Sequence, residues 1–175
     1  MRLSWIILVF FCFASCSQTT KRYKPSSEVQ KREKLVDEIL GKIALKFKNE
    51  RGLLPCGSGG GTADGVRMLA LSFNYFTPIG IAQGRELLLE AVNEFASTVN
   101  ADERIRPYLC NFPFGSRNIQ IRIFLQNPDG SEFSQGMVCV VSAIDGILDY
   151  TIRDPETGRL RTIYTETFED ALRKV

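Results

Sequence analysis

Apolar residues along the chain switch between two spacings, and the switch points divide it into elements. From Ser27 onward, Leu35, Ile39, Ile43 and Phe47, joined by Val36 and Leu40, recur at intervals of three and four. That spacing predicts a helix of about 20 residues, opened by the capping-box pair Ser27 and Gln30 and closed near Gly52. Val66 to Tyr75 then alternates, with Leu69, Leu71, Phe73 and Tyr75 on one face and Met68, Ala70 and Ser72 on the other, which predicts a strand. Thr77-Pro78 and Gly80 lead into a second helix that lines up Ile81, Leu88, Ala91, Val92, Phe95 and Val99 and stops near Asn100. Beyond an irregular stretch from Asp102 to Ser116, the period returns to two. Strands are predicted at Ile119 to Leu125, Met137 to Ile144, Ile147 to Arg153 and Leu160 to Thr165, separated by turns at Asn127-Pro128-Asp129-Gly130, Asp145-Gly146 and Asp154 to Gly158. A short helix from about Thr167, carrying Phe168, Ala171 and Leu172, closes the chain.

Two or three helices and about five strands, the last four consecutive, predict an α+β fold. Its architecture would be a two-layer sandwich, with helices packed on one face of a mainly antiparallel sheet. The other face would carry Gln120, Arg122, Asp149 and Arg161 beside Phe124, Tyr150 and Tyr164, a mixed surface of the kind that meets partner proteins or is simply solvated. Pro55 to Gly65 is the one low-complexity stretch, and residues 57–65 read as a Gly-rich connector. A phosphate cradle is the competing interpretation of so many glycines. It lacks a Gly-Lys-Ser/Thr ending and leads into a strand, where phosphate motifs lead into a helix.

The beginning of the chain follows neither period. Trp5 to Phe13 is continuously apolar behind Arg2, and at about 20 residues a bilayer-spanning helix would need to be longer. Small residues Ala14 and Ser15 stand where a signal peptidase would cut, so residues 1–15 read as a signal peptide. The stretch Phe13-Ala14-Ser15-Cys16 resembles the lipobox of bacterial lipoproteins. That resemblance covers only about the first 20 residues. It implies that Cys16 is the lipid acceptor and, with Ser17 following, that the destination is the outer membrane. The expected location is therefore the bacterial envelope, with the membrane as one partner through the lipid and an envelope protein as the other. Without the resemblance, the same segment fits an ordinary secretory signal cut near Ser15 or Ser17. Residues 16–26, polar and holding Pro25, read as a flexible tether, and residues 27–175 as one α+β domain.

Charge and composition narrow the chemistry. A formal charge of +2 gives no reason to expect nucleic acid. Lys21 to Arg51 carries ten Lys and Arg against five Asp and Glu, so the part nearest the lipid is basic. Such charges suit anionic head groups or the wet face of a helix. The chain holds no histidine. This removes Ser-His-Asp and Cys-His nucleophiles and most catalytic zinc arrangements, and no motif requires a cofactor or metal. Carboxylates remain. Glu86, Glu90 and Glu94 share one helix face, although such spacing also describes a solvated face. Cys139 sits in an apolar strand, which leaves Cys56 and Cys110 as possible disulfide partners.

The segment from Arg104 to Phe114 is the densest in aromatic, arginine and proline residues. Arg104, Arg106, Tyr108, Phe112 and Phe114 are candidate interaction residues, the types enriched in binding hot spots. The alternative is that its aromatics plug the end of the sandwich. Three function classes follow: an interaction or structural module, a ligand binder using space between the first helix and the sheet, and a carboxylate-dependent hydrolase of envelope polymers. A flat exposed face, an apolar cavity and a cleft with converging carboxylates respectively distinguish them.

Overall fold

The computed structural model describes residues 26–62 and 64–175. The signal, Cys16 and the tether up to Pro25 lie outside the described residues. Helix α1 spans Ser27–Arg51. Its cap is Ser26, one residue before the predicted Ser27, and the Ser26 hydroxyl accepts from the Val29 amide at 3.3 Å. It ends where Gly52 takes the left-handed conformation that lets its amide reach the Lys48 carbonyl. Strands β1 (Leu54–Gly61) and β2 (Met68–Tyr75), helix α2 (Ile81–Ala101), strands β3 (Ile119–Leu125), β4 (Val138–Ile144), β5 (Ile147–Arg153) and β6 (Leu160–Thr167) and helix α3 (Phe168–Leu172) follow.

Three helices pack on one mixed, mostly antiparallel open sheet, as the spacing predicts, but the sheet has six strands where about five are expected. Strand order equals chain order. Only β2 and β3 run parallel, because α2 carries the chain back across the sheet between them. The sixth strand is the Gly-rich stretch. Far from being a connector throughout, it pairs antiparallel with β2 from Leu54↔Asn74 to Gly61↔Met68. Side-chain propensity could not announce it, since glycine has no side chain to contribute and the pairing is made by backbone alone.

Nearly all the buried apolar residues among those described form one cluster between helices and sheet. Leu69, Leu71 and Phe73 of β2, and Ile119, Ile121 and Ile123 of β3, face Ile43 and Phe47 of α1 and Leu88, Val92 and Phe95 of α2 in that cluster. Gly84 brings α2 close to the sheet: a Cβ there would lie 3.1 Å from Val141 Cγ1 and 3.4 Å from Tyr150 Cε1. Register corrects the expected outer face. Tyr150, fully buried, pairs with Tyr164 on the helix side, their ring centroids 5.7 Å apart. Arg161 pairs with Ile152, on the same side, beyond a bulge that falls in the β5–β6 ladder. One inserted residue reverses the facing of all that follow it, so alternation read from one end of the strand goes wrong at the other.

Candidate functional site

The segment after α2 divides into an inward and an outward half. Phe114, only 2% exposed, belongs to the core and is not an interaction residue. The Asn100 side chain holds it there from both sides of the peptide, donating to the Phe114 carbonyl at 2.9 Å and accepting from the Phe114 amide at 2.8 Å. Arg104 is paired with neighbours, although its side chain stays 63% exposed. It forks onto Asp102, with Nε donating to Oδ1 at 3.0 Å and Nη2 to Oδ2 at 2.8 Å, and reaches Glu38 of α1 through Nη1 at 3.2 Å. Those bonds hold the Asp102 carboxyl below its ordinary range and push the guanidinium of Arg104 further up. The Tyr108 hydroxyl donates to Glu28 at 3.2 Å, a second clasp on α1. Arg106 and Phe112 remain outward: the guanidinium lies 4.8 Å from the centre of the Phe112 ring, and Phe112 is 54% exposed. The segment thus clasps α1 and presents to solvent the Arg106–Phe112 cation–π pair together with the paired guanidinium of Arg104.

Cys56 and Cys110 are free thiols. Cys56 sits in a bulge near the start of β1, whereas Cys110 donates its amide to Val66, past the far end of β2. Five residues of β1 at about 3.4 Å each separate these ends, roughly 17 Å, against the limit of about 7 Å between bridged Cα atoms. The disulfide does not form within one chain. Burial pushes the Cys56 thiol up, away from the reactive thiolate. Cys139 is half-buried and its thiol points to the Thr151 carbonyl at 3.4 Å, consistent with a small, filling residue.

A charged cluster that sequence reasoning missed lies at the other end of the sheet. Glu166 of β6 is buried, and its Oε1 accepts from Arg85 Nε at 2.7 Å and from the Tyr150 hydroxyl at 2.8 Å. Its Oε2 accepts from Lys174 Nζ at 2.7 Å. Burial raises the affinity of this carboxyl for a proton, but the bonds from Arg85, Lys174 and Tyr150 together outweigh burial and leave it below its ordinary range. Burial, and then the neighbouring carboxylate, push the Tyr150 hydroxyl well up. Both oxygens are occupied by neighbours, so the cluster ties α2, β5, β6 and the C-terminal residues together. A signal existed: Glu166 falls on the buried parity of β6, paired with Leu148 of β5. Two of the three helix-face glutamates are also engaged. Glu94 meets Lys46 of α1 at 2.5 Å and Glu90 meets Arg51 of α1, so they bridge α1 to α2.

The face of the sheet away from the helices is uncovered by any described element. Register puts Ala70 and Ser72 of β2, Gln120, Arg122 and Phe124 of β3, Val140 of β4, and Asp149 and Thr151 of β5 on it. Phe124 is half-buried between strand neighbours and Arg122 is exposed. The hydroxyl of Thr165 donates to Asp149 at 2.6 Å across the β5–β6 pair. Beside the sheet, hollows border β1. One, of about 460 Å³, lies between α1 and β1 and is lined by Asp37, Leu40, Gly41, Ala44, Pro55, Cys56, Gly57, Ser58 and Leu71.

Among the described residues, no group of three Asp, Glu or Cys is placed to hold a metal ion, and no helix is long and apolar enough to cross a membrane. Comparison of the chain with protein-family models, with curated proteins and with solved structures gives no match.

Proposed function

We propose that this chain is a membrane-anchored envelope lipoprotein whose α+β domain works as a protein-interaction module. The observation that carries the domain's part is the second face of the sheet, which no described element covers and where exposed Arg122 stands beside half-buried Gln120, Asp149 and Phe124. Arginine and aromatic residues on an uncovered sheet face favour a macromolecular partner over a small substrate. Two of the three helix-face carboxylates weighed for a hydrolase, Glu90 and Glu94, are engaged in ion pairs to α1, which supports the interaction reading over that alternative. The anchor part rests on the Phe13-Ala14-Ser15-Cys16 pattern and its likeness to a lipobox. Several acyl chains on Cys16 would hold the domain firmly, since each buried methylene contributes about 0.8 kcal/mol. A polar tether of residues 16–26 lets the domain reach a neighbour in the envelope.

Two measurements test this. Cys16→Ala is expected to abolish acyl-chain labelling and move the protein to the soluble fraction; retention of both in the variant refutes the anchor. A photo-crosslinking amino acid at position 124 is expected to trap a discrete protein in intact envelopes, and absence of any adduct at positions 122 and 124 refutes the interaction face.

A further inference from the structure

The edges of the sheet are built differently. β6 carries Arg161 and a bulge, and both discourage another strand from adding to it. β1 carries no charged residue, and its only irregularity is the bulge at Cys56 near its beginning. From Gly57 to Gly61 its outer side is a run of backbone amides and carbonyls that no described strand pairs. Nothing within the fold calls for most of the glycines there. A Cβ at Gly59 or Gly61 would meet no atom within 4 Å, and neither residue has positive φ; only Gly60 is crowded, by the Met68 carbonyl at 2.9 Å.

The helix beside this edge repeats the feature. Gly41 stands in the middle of α1, where glycine weakens a helix, and a Cβ there would also meet nothing within 4 Å. Gly41 lines the 460 Å³ hollow with Leu40, Ala44 and Leu71, which supply its apolar wall. About two helical turns earlier, Glu33 lines a second hollow of about 430 Å³ with Gly60, Gly61, Asp64 and Arg67. Glu33, Asp37 and Asp64 make no ion pair among the described residues, unlike Glu38, Glu90 and Glu94. The border of α1 and β1 therefore has a strand edge that no described strand pairs, a largely apolar hollow that Asp37 also lines, and a second hollow with two carboxylates, Glu33 and Asp64, against the guanidinium of Arg67.

We infer that β1 and α1 form a docking channel for an extended peptide segment of a partner protein, which adds as a further strand to β1. Its small apolar side chains enter beside Leu40, Ala44 and Leu71, and its basic end lies over Glu33 and Asp37. Only an extended backbone can satisfy a row of alternating amides and carbonyls, and the missing side chain at Gly41 leaves room beside it on the α1 side, the side that Ser58 and Gly60 face. The excess of carboxylates selects the basic end. This inference rests on reading the domain as an interaction module and assigns the partner's chemistry.

The probe is a fluorescent ten-residue peptide of alternating Val and Ala with Lys-Arg at one end, made with the basic pair at either terminus. It is titrated against the mature protein carrying Cys16→Ser. Saturable binding of one orientation is expected, reduced at least tenfold by N-methylation of alternate amides and by replacing Lys-Arg with Glu-Glu. Gly41→Leu is expected to abolish binding while raising Tm, which separates lost docking from lost folding. Equal affinity for the N-methylated peptide, no saturable binding in either orientation, undiminished binding to Gly41→Leu, or a concentration-dependent dimer pairing β1 with a second copy's β1 would overturn the inference. Crosslinking from position 124 in envelopes without peptide binding would sink the channel and leave the interaction module standing.

Discussion

Removing the Glu166 carboxylate tests whether the buried cluster holds the C-terminal end of the sheet. In Glu166→Ala, the Tyr150 hydroxyl loses its acceptor inside the core, and Arg85, whose side chain is 13% exposed, keeps its charge without a partner. Breaking a buried pair by deleting one member costs about 3–5 kcal/mol, because the remaining charge stays out of water. Lys174 is different: its side chain is 41% exposed and can turn to solvent, so its own removal should matter little. Tyr150→Phe takes away one buried hydrogen bond and should cost about 1 kcal/mol. The expected order of destabilisation is therefore Glu166→Ala, then Tyr150→Phe, then Lys174→Ala. Urea unfolding followed by far-ultraviolet circular dichroism measures it, and for a domain of this size the first variant should also lower Tm by roughly 6–20 °C. A Glu166→Ala loss below about 1 kcal/mol, or a Lys174→Ala loss equal to it, would refute the argument that burial sets the cost.

Acid should weaken the fold through the same groups. Neighbours hold Glu166, Glu94, Asp102 and Asp154 below their ordinary ranges, so their stabilisation is complete above the unfolded-state values near pH 4 and disappears as pH falls through the lower folded ones. Urea midpoints should hold steady from pH 7 to 5 and drop below about 4, with a shallower drop in Glu166→Gln. Phe114→Ala should cost about 3–5 kcal/mol, whereas Phe112→Ala, at an exposed position, should change stability by less than about 0.5 kcal/mol; equal effects would contradict the split of that segment. Alkylation of the native protein without reductant should label both Cys56 and Cys110, and a mass two hydrogens short of the dithiol would reveal the bridge that their separation forbids.

The elements that follow a plain period are legible in the chain. α1, α2 and the meander from Ile119 onward appear in the structure within a residue or two of where spacing puts them. Hydrophobic burial enforces such spacing, so it survives without knowledge of neighbours. Asp145-Gly146 is equally plain, because its positive φ angles of 51° and 75° suit the hairpin that this dipeptide signals. Arg106 and Phe112 could be picked as outward residues, but the same composition also marked Phe114. Aromatic content is alike in a hot spot and in a core plug.

Local residue chemistry alone determined the α+β class, the helix ends and the lack of imidazole chemistry, since each depends on a side chain's size, charge or capping group. Tertiary structure decided the sixth strand, the parallel pairing of β2 and β3, the facing of Arg161 past the bulge, and the engagement of Glu166. Each of these depends on which backbone lies alongside another, and a glycine strand pairs through atoms that every residue shares. For that reason the most bare part of the chain, unreadable by side chain, is also a sheet edge that no described strand pairs.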